Sequence, residues 1–321
     1  AKHLALVATG LVKRFGDLAA VSDISFEVSA GEVFGLLGPN GAGKTTTIRM
    51  IMDIFRPDEG GVRLVGLPPA AARERVGYLP EERGLYPSFG VLDTLVYFAQ
   101  LKGLSRAEAD SGALAWLERV GLSEWAANAV QDLSRGMRQK LQFAASLVHD
   151  PDVAILDEPF QGLDPVNVEA VKGRIRDLAT GGAAVVLSAH QMNLVEALCD
   201  RILLIHRGRS VLHGSLAEIK KSYASRRVRL RIEGPLPEIP GVAAVAARDG
   251  ALTLTLAEAT AQDVLRFLLD QGVTVLAFEV ASAPLEDIFL EVVGASGADA
   301  SAVLSNPGAG EAVATEGAQG A

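Results

Sequence analysis

Residues 38–45 read Gly-Pro-Asn-Gly-Ala-Gly-Lys-Thr. They follow an apolar run at 33–37 and precede a stretch at 45–55 that reads as a helix, ended by Arg56-Pro57-Asp58. Strand, glycine-rich turn and helix in succession is the setting in which backbone amides cradle phosphate. Gly38, Gly41 and Gly43 let the backbone come close and adopt unusual dihedral angles. The helix after them aims free N–H groups and its positive dipole end at an anion. Lys44 supplies a full positive charge to the β and γ phosphates of a nucleotide, and Thr45 offers a hydroxyl to Mg²⁺. Pro39, Asn40, Ala42 and Thr46 complete the stretch expected to wrap the nucleotide.

A second segment carries chemistry. Val153-Ala-Ile-Leu-Asp157-Glu158 is an apolar strand that ends in two acids. Buried strands seldom end in paired carboxylates unless they face something cationic. Asp157 is the candidate to hold Mg²⁺, directly or through water. Glu158 is the candidate general base for an attacking water. His190 follows another apolar strand at 183–188. Strand ends of a parallel sheet are where active sites gather, so His190 is expected to contact the γ-phosphate. His3, His149, His206 and His213 lack such a setting and read as structural.

The organisation supports an α/β chain of 321 residues. Strands are expected at 4–8, 24–28, 33–37, 153–156, 183–188 and 202–206. Residues 84–150 instead show helical spacing at 91–101, 106–120 and 135–149, a helical insert. Further helices begin at Pro165 and near Gln191. Alternation of strand and helix argues for a mostly parallel sheet covered on both faces. Residues 223–294 read as a small α+β unit. There Val228, Leu230 and Ile232 alternate with Arg227, Arg229 and Arg231, and Leu252, Leu254 and Leu256 alternate with threonines, as in half-exposed strands. A helix at 262–270, a strand at 273–280 and a helix from Pro284 complete it. The tail at 295–321, rich in Ala, Gly, Ser and Glu, is expected to be disordered.

Charge narrows the function. The net charge is −9, yet no Lys or Arg follows Arg266 while eight acids do; subtracting them leaves −1 for the first 266 residues. A near-neutral body argues against a general nucleic-acid binder. The one cysteine, Cys199, forms no internal disulfide and reads as a buried thiol in a reducing compartment. No signal peptide is expected from the first residues. No stretch reads as membrane-spanning: the best uncharged one, 178–195, is broken by Gly181, Gly182, Ser188, His190, Gln191 and Asn193.

With Leu133-Ser-Arg-Gly-Met-Arg-Gln139 and Gly162-Leu-Asp164 added, the motifs resemble those of the nucleotide-binding subunit of ATP-binding-cassette (ABC) transporters over residues 3–220. In that family's terms they are the Walker A loop, the signature, Walker B, the D-loop and the switch histidine. The resemblance implies an ABC-type nucleotide-binding domain over 1–222 and a head-to-tail dimer with two ATP molecules at its interface. Each ATP would lie between the Walker A loop of one copy and Ser134-Arg-Gly136 of the other, with Gln139 also among the expected nucleotide-binding residues. Ser134 reads as an N-cap, and Gly136 allows close approach at the start of a helix. Loss of the γ-phosphate would remove the shared ligand and open the dimer. Phe15 matches the position whose ring stacks on adenine.

One position departs from the pattern. The loop after Val76-Gly-Tyr-Leu-Pro80 usually begins with a glutamine that reaches Mg²⁺ and the water. Here Glu81 stands there, a carboxylate able to ligate Mg²⁺ while adding negative charge near the γ-phosphate. The run from Glu81 to Tyr86 and the stretch Pro284-Leu-Glu-Asp-Ile-Phe289 resemble type-2 exporter ATPases similar to sodium- or drug-efflux subunits. The resemblance implies a subunit on the cytoplasmic face of a membrane, held by an integral membrane permease. Tyr86, Phe89, Val91, Leu95, Tyr97 and Phe98 are the aromatic and aliphatic candidates for a groove that receives a permease helix. The rival is a soluble ABC ATPase acting on nucleic acid or ribosomes. It is disfavoured by a single cassette, the absence of a heptad run and the lack of a basic patch.

Overall fold

The structure, a computed structural model, describes residues 3–82, 84–224, 227–248, 251–280 and 284–295. The tail expected to be disordered lies outside the described residues from 296 onward. From the N-terminus, β1 (Leu4–Phe15), β2 (Leu18–Ser29) and β3 (Val33–Leu37) lead into α1 (Lys44–Ile51), β4 (Glu59–Leu64) and β5 (Val76–Leu79). Three helices follow: α2 (Val91–Leu101), α3 (Arg106–Arg119) and α4 (Arg135–Leu147). The chain continues through β6 (Val153–Asp157), α5 (Pro165–Thr180), β7 (Ala184–Ala189), α6 (Met192–Leu198), β8 (Arg201–His206), β9 (Arg209–Ser215) and α7 (Leu216–Ala224). It closes with β10 (Arg227–Ile232), β11 (Val242–Arg248), β12 (Ala251–Leu256), α8 (Ala261–Asp270), β13 (Val275–Val280) and α9 (Leu285–Ala295).

The central sheet has six strands in the order β5-β6-β7-β3-β8-β9. Its pairs are parallel except β8 with β9. Every residue of β3, β6 and β7 is buried, as expected where both faces are covered. Period-2 alternation sorts the side chains. Phe34, Leu36, Val153 and Ile155 pack towards α1 and the antiparallel sheet β2-β1-β4, whereas Leu37, Ala154 and Leu156 pack towards α2–α4 and α5. Two layers thus sandwich the sheet, and the carboxyl ends of β3 and β6 emerge between them.

The last four strands form a separate sheet, β11-β12-β10-β13, with its own apolar cluster of Val228, Leu230, Leu254, Leu256, Val264 and Leu268. α9 does not join that cluster: its Leu285, Ile288, Phe289 and Val293 pack into the larger core. Arg227 faces α9 and pairs with Asp287 and Glu291, while Arg229 and Arg231 are exposed. Cys199 is buried, as its sequence setting implied, and burial pushes its thiol up from the ordinary value. Among the described residues no helix is long and apolar enough to cross a membrane.

Candidate functional site

The phosphate-type loop sits where β3 ends and α1 begins, and the surrounding fold requires its glycines. Gly38 has φ +146°, and a Cβ there would lie 2.2 Å from the Ile205 carbonyl oxygen. Gly43, the N-cap of α1, has φ +112°, and a Cβ there would lie 2.6 Å from the Ala20 carbonyl oxygen. No side chain caps α1, so its first amides are left to a ligand. Lys44 is buried and curls over the loop, donating to the carbonyls of Gly38 (2.7 Å) and Pro39 (3.2 Å). Burial lowers its pKa, while the charges of Glu158, Asp157 and Glu81 push it back up. A doubly anionic phosphate would supply the charge that this ammonium needs.

A cavity of about 460 Å³ opens over the loop. Asn40, Gly41, Ala42, Gly43, Lys44, Thr45 and Thr46 line its floor, with Glu81 and Glu158 also in the lining. Phe15, Leu18 and Ala20, at and beyond the turn between β1 and β2, add an apolar lining. Phe15 is 44% exposed; its ring meets Phe55 edge-on at 5.7 Å and has the Lys13 ammonium 5.7 Å from its centroid. Leu18, at 67% exposure, lines the same cavity and was missed in the sequence.

The acidic end of β6 is pinned by its neighbour β7. Ser188 donates its hydroxyl to Asp157 Oδ1, and the Glu158 amide donates to that hydroxyl at 3.1 Å. Ser188 was also missed: a serine at the end of an apolar strand gives no sign of which acids it will meet. Asp157 Oδ2 is buried and accepts no hydrogen bond, an arrangement that demands a partner. Glu158 adopts φ +49°, the left-handed region that non-glycine residues seldom enter and that recurs at functional sites. Its Oε2 lies 2.9 Å from His190 Nδ1. A carboxylate partner assigns the proton to Nδ1. Burial raises the Glu158 pKa, with His190 and Lys44 pulling against it.

Seven residues of the 38–46 run, together with Phe15, Glu81 and Glu158, therefore meet at one cavity; Asp157 and His190 are not among its lining residues, and His190 is tied to it through Glu158. Ser134, Gly136 and Gln139 are not among its lining residues. Ser134 does cap α4 as its sequence suggested, accepting from the Met137 amide at 3.3 Å. Gln139 is buried. A Cβ on Gly136 would meet nothing closer than Asn167 Nδ2 at 3.9 Å. Gln142, farther along α4, donates to the carbonyls of Pro80 (3.5 Å) and Glu82 (3.3 Å), tying this helix to the loop that carries Glu81.

The docking candidates divide. Val91 and Leu95 are fully buried in the packing of the helical insert. Tyr86, Phe89 and Tyr97 are 49%, 38% and 38% exposed and touch one another, with the Tyr86 and Phe89 rings 5.0 Å apart. Phe98 lines an apolar groove of about 340 Å³ together with Tyr78, Pro80, Leu85 and Leu101.

Comparison with known proteins agrees with this architecture. The ABC transporter family matches residues 21–161, and the C-terminal domain of DrrA1-3-like ATP-binding proteins matches 214–293. The chain is 39% identical over 290 residues to the uncharacterised ABC transporter ATP-binding protein YhaQ of Bacillus subtilis (strain 168), spanning 89% of this chain and 97% of that one. It is 37% identical over 295 residues to the Nod factor export ATP-binding protein I of Paraburkholderia xenovorans (strain LB400), spanning 88% and 94%. A solved ATP-binding subunit of an ABC transporter superposes with a TM-score of 0.64 at 30% identity, covering 68% of this chain and 93% of that one. With its phosphate loop, its mostly parallel sheet covered on both faces and relatives matched over nearly their whole length, the chain belongs to the ATP-binding subunits of ABC transporters.

Proposed function

We propose that this chain is the ATP-hydrolysing motor of an exporter, clamped as a head-to-tail dimer by ATP and released by hydrolysis. The observation that carries it is the Glu158–His190 pair lying against a cavity whose floor is the phosphate loop. The relative that exports Nod factor supports the export direction.

The donor set fits Mg²⁺. Asp157 Oδ2 is a buried carboxylate oxygen without a hydrogen-bond partner, and hard oxygen donors are what Mg²⁺ takes. Thr45, Asp157 and Glu81 are the residues that would hold it. The chemistry it supplies when bound is neutralisation of charge on the β- and γ-phosphoryl oxygens.

The chain's own residues do the rest. The amides at the start of α1 and the Lys44 ammonium bind the phosphates, and Phe15 stacks on the base. His190 holds Oε2 of Glu158, which leaves Oε1 to take a proton from the attacking water. Burial raises the Glu158 pKa, which makes its carboxylate a stronger base than a solvated one. Gly162-Leu-Asp164 would then face the second copy, and Ser134 and Gly136 would present a second helix N-terminus to the γ-phosphate. Tyr86, Phe89, Tyr97 and the groove beside Phe98 would receive a helix of the permease, which holds the motor on the cytoplasmic face of the membrane.

Glu158→Gln tests the motor. Hydrolysis falls by about 10²–10⁴-fold, nucleotide still binds, and sedimentation with magnesium ATP reads a dimer. Wild-type turnover by this variant removes Glu158 as the base; a monomer at saturating nucleotide, with the permease present as well, removes the clamp.

A further inference from the structure

Gly162 lies in the turn between β6 and α5, four residues after Glu158, with φ +75°. Two backbone bonds shape that turn: the Gln161 amide donates to the Glu158 carbonyl at 3.1 Å, and the Leu163 amide to the Phe160 carbonyl at 3.2 Å. Any displacement at Gly162 therefore reaches Glu158 through one or two tight turns. A Cβ on Gly162 would lie 3.0 Å from Nη2, 3.1 Å from Nε and 3.3 Å from Cζ of Arg135. The guanidinium of Arg135 therefore rests against Gly162, and both residues remain exposed. Arg135 is the first residue of α4, directly after the cap Ser134. One residue on, a Cβ on Gly136 would lie 3.9 Å from Asn167 Nδ2 of α5. Asn167 is in turn held by Asp164, the N-cap of α5. The starts of α4 and α5 are thus adjacent, and Arg135 lies against Gly162 in the turn that leads from Glu158 to α5.

We propose that Arg135 is a positioning residue: its guanidinium clamps the 158–164 turn onto the N-terminus of α4, so that Glu158 follows the helix that carries Ser134 and Gly136. This rests on the reading of Glu158 as the base and of Ser134 and Gly136 as the half offered to a second copy. The contact needs a planar cation, which arginine has and lysine lacks. It also needs a residue without a side chain beneath it, at a φ that glycine adopts freely. When α4 seats against a nucleotide, the clamp sets the carboxylate; when α4 withdraws, the turn is released.

The test uses the full chain with Arg135→Ala, Arg135→Lys, Gly162→Ala and the Arg135→Ala/Gly162→Ala double variant. Arg135→Ala lowers kcat roughly ten- to a hundredfold, as expected for a misplaced catalytic group. KM for ATP, affinity for a fluorescent ATP analogue and the melting temperature stay at wild-type values. Amide hydrogen exchange at 161–163 quickens in the monomer, because the turn loses the contact that braces it. Arg135→Lys does not restore kcat, and the double variant is no slower than Gly162→Ala alone, the non-additivity expected of groups in contact. Wild-type exchange at 161–163 in Arg135→Ala sinks the clamp, whether or not Glu158→Gln forms dimers. So does full additivity of the two losses. If Arg135→Ala instead abolishes ATP-driven pairing in the Glu158→Gln background, Arg135 touches the nucleotide itself and the positioning role is wrong. Failure of Glu158→Gln alone to pair leaves the exchange result standing and removes the dimer reading instead.

Discussion

Two helix N-termini, those of α1 and α4, are both built around glycine, and the reasons for their glycines differ. At α1, Gly38 and Gly43 have positive φ, and a Cβ on either would run into backbone oxygen at 2.2 or 2.6 Å. The chain's own packing explains them. At α4, Gly136 has no positive φ, and a Cβ there would meet no atom beyond its own helix closer than Asn167 Nδ2 at 3.9 Å. Intrachain packing gives no reason for a glycine there. The caps differ as well: α1 has no side-chain cap, while Ser134 caps α4 at Met137. The first terminus is a site complete within one chain. On the proposed reading, the second would be half of an interface that another copy completes.

The largest effect comes from the first terminus. Gly43→Ala places a methyl against the Ala20 carbonyl at a φ of +112°, a strain of about 1–2 kcal/mol from the dihedral alone. The loop has to shift, and the phosphate loses amide donors, each worth about 1.5–3 kcal/mol as a bond to a charged group. Affinity for ATP should drop on the order of a hundredfold or more, and the melting temperature should fall with it. Fluorescent-nucleotide titration and thermal unfolding read both. Unchanged binding would mean that the loop is not shaped by its own fold.

Gly136→Ala should do the reverse to the monomer. Alanine is the better helix former by about 0.8–1 kcal/mol in a helix interior, so the single chain should melt at the same temperature or slightly higher and bind ATP normally. Pairing should suffer, because a methyl forced into a close contact costs about 1–3 kcal/mol, or roughly ten- to a hundredfold in association. Sedimentation of the Gly136→Ala/Glu158→Gln double variant with magnesium ATP checks it. Undiminished pairing would erase the contrast between the two termini.

What was legible in the sequence follows the same division between local and distant causes. The helix at 91–101 and the strand at 33–37 match α2 and β3 residue for residue, because each carries an uninterrupted apolar pattern. Strands β4, β5, β9 and β11 were not foreseen. β4 opens with Glu-Gly-Gly and exists through its register with β1. β5 has four residues and is held by β6. β9 is an edge strand without buried residues. β11, Val-Ala-Ala-Val-Ala-Ala-Arg, has helix-forming alanines whose local preference yields to pairing with β12. At the site, the motif residues were visible because glycine, lysine and paired acids are rare in those positions for any other reason. The 2.9 Å contact of His190 with Glu158 spans 32 residues, and the contact of Arg135 with Gly162 spans 27, so neither leaves a local trace.

The exposed aromatic surface extends the argument, and its expected effect is the smallest. Among Tyr86, Phe89, Val91, Leu95, Tyr97 and Phe98, the buried pair Val91 and Leu95 is explained by the helical insert's own packing. Tyr86 and Phe89 touch each other and Tyr97 but remain open on one side. Exposed residues truncated to alanine usually shift stability by no more than about 0.5 kcal/mol each, so Tyr86→Ala/Phe89→Ala should fold and bind ATP as before. If these rings are anchors for a permease helix, their loss should remove at least about 1–2 kcal/mol of docking energy, roughly tenfold in capture. Co-purification with the cognate permease, at matched expression, measures this. A full yield would place the rings with Val91 and Leu95 as parts of the insert alone, and would leave the groove beside Phe98 as the surface whose cause lies outside the chain.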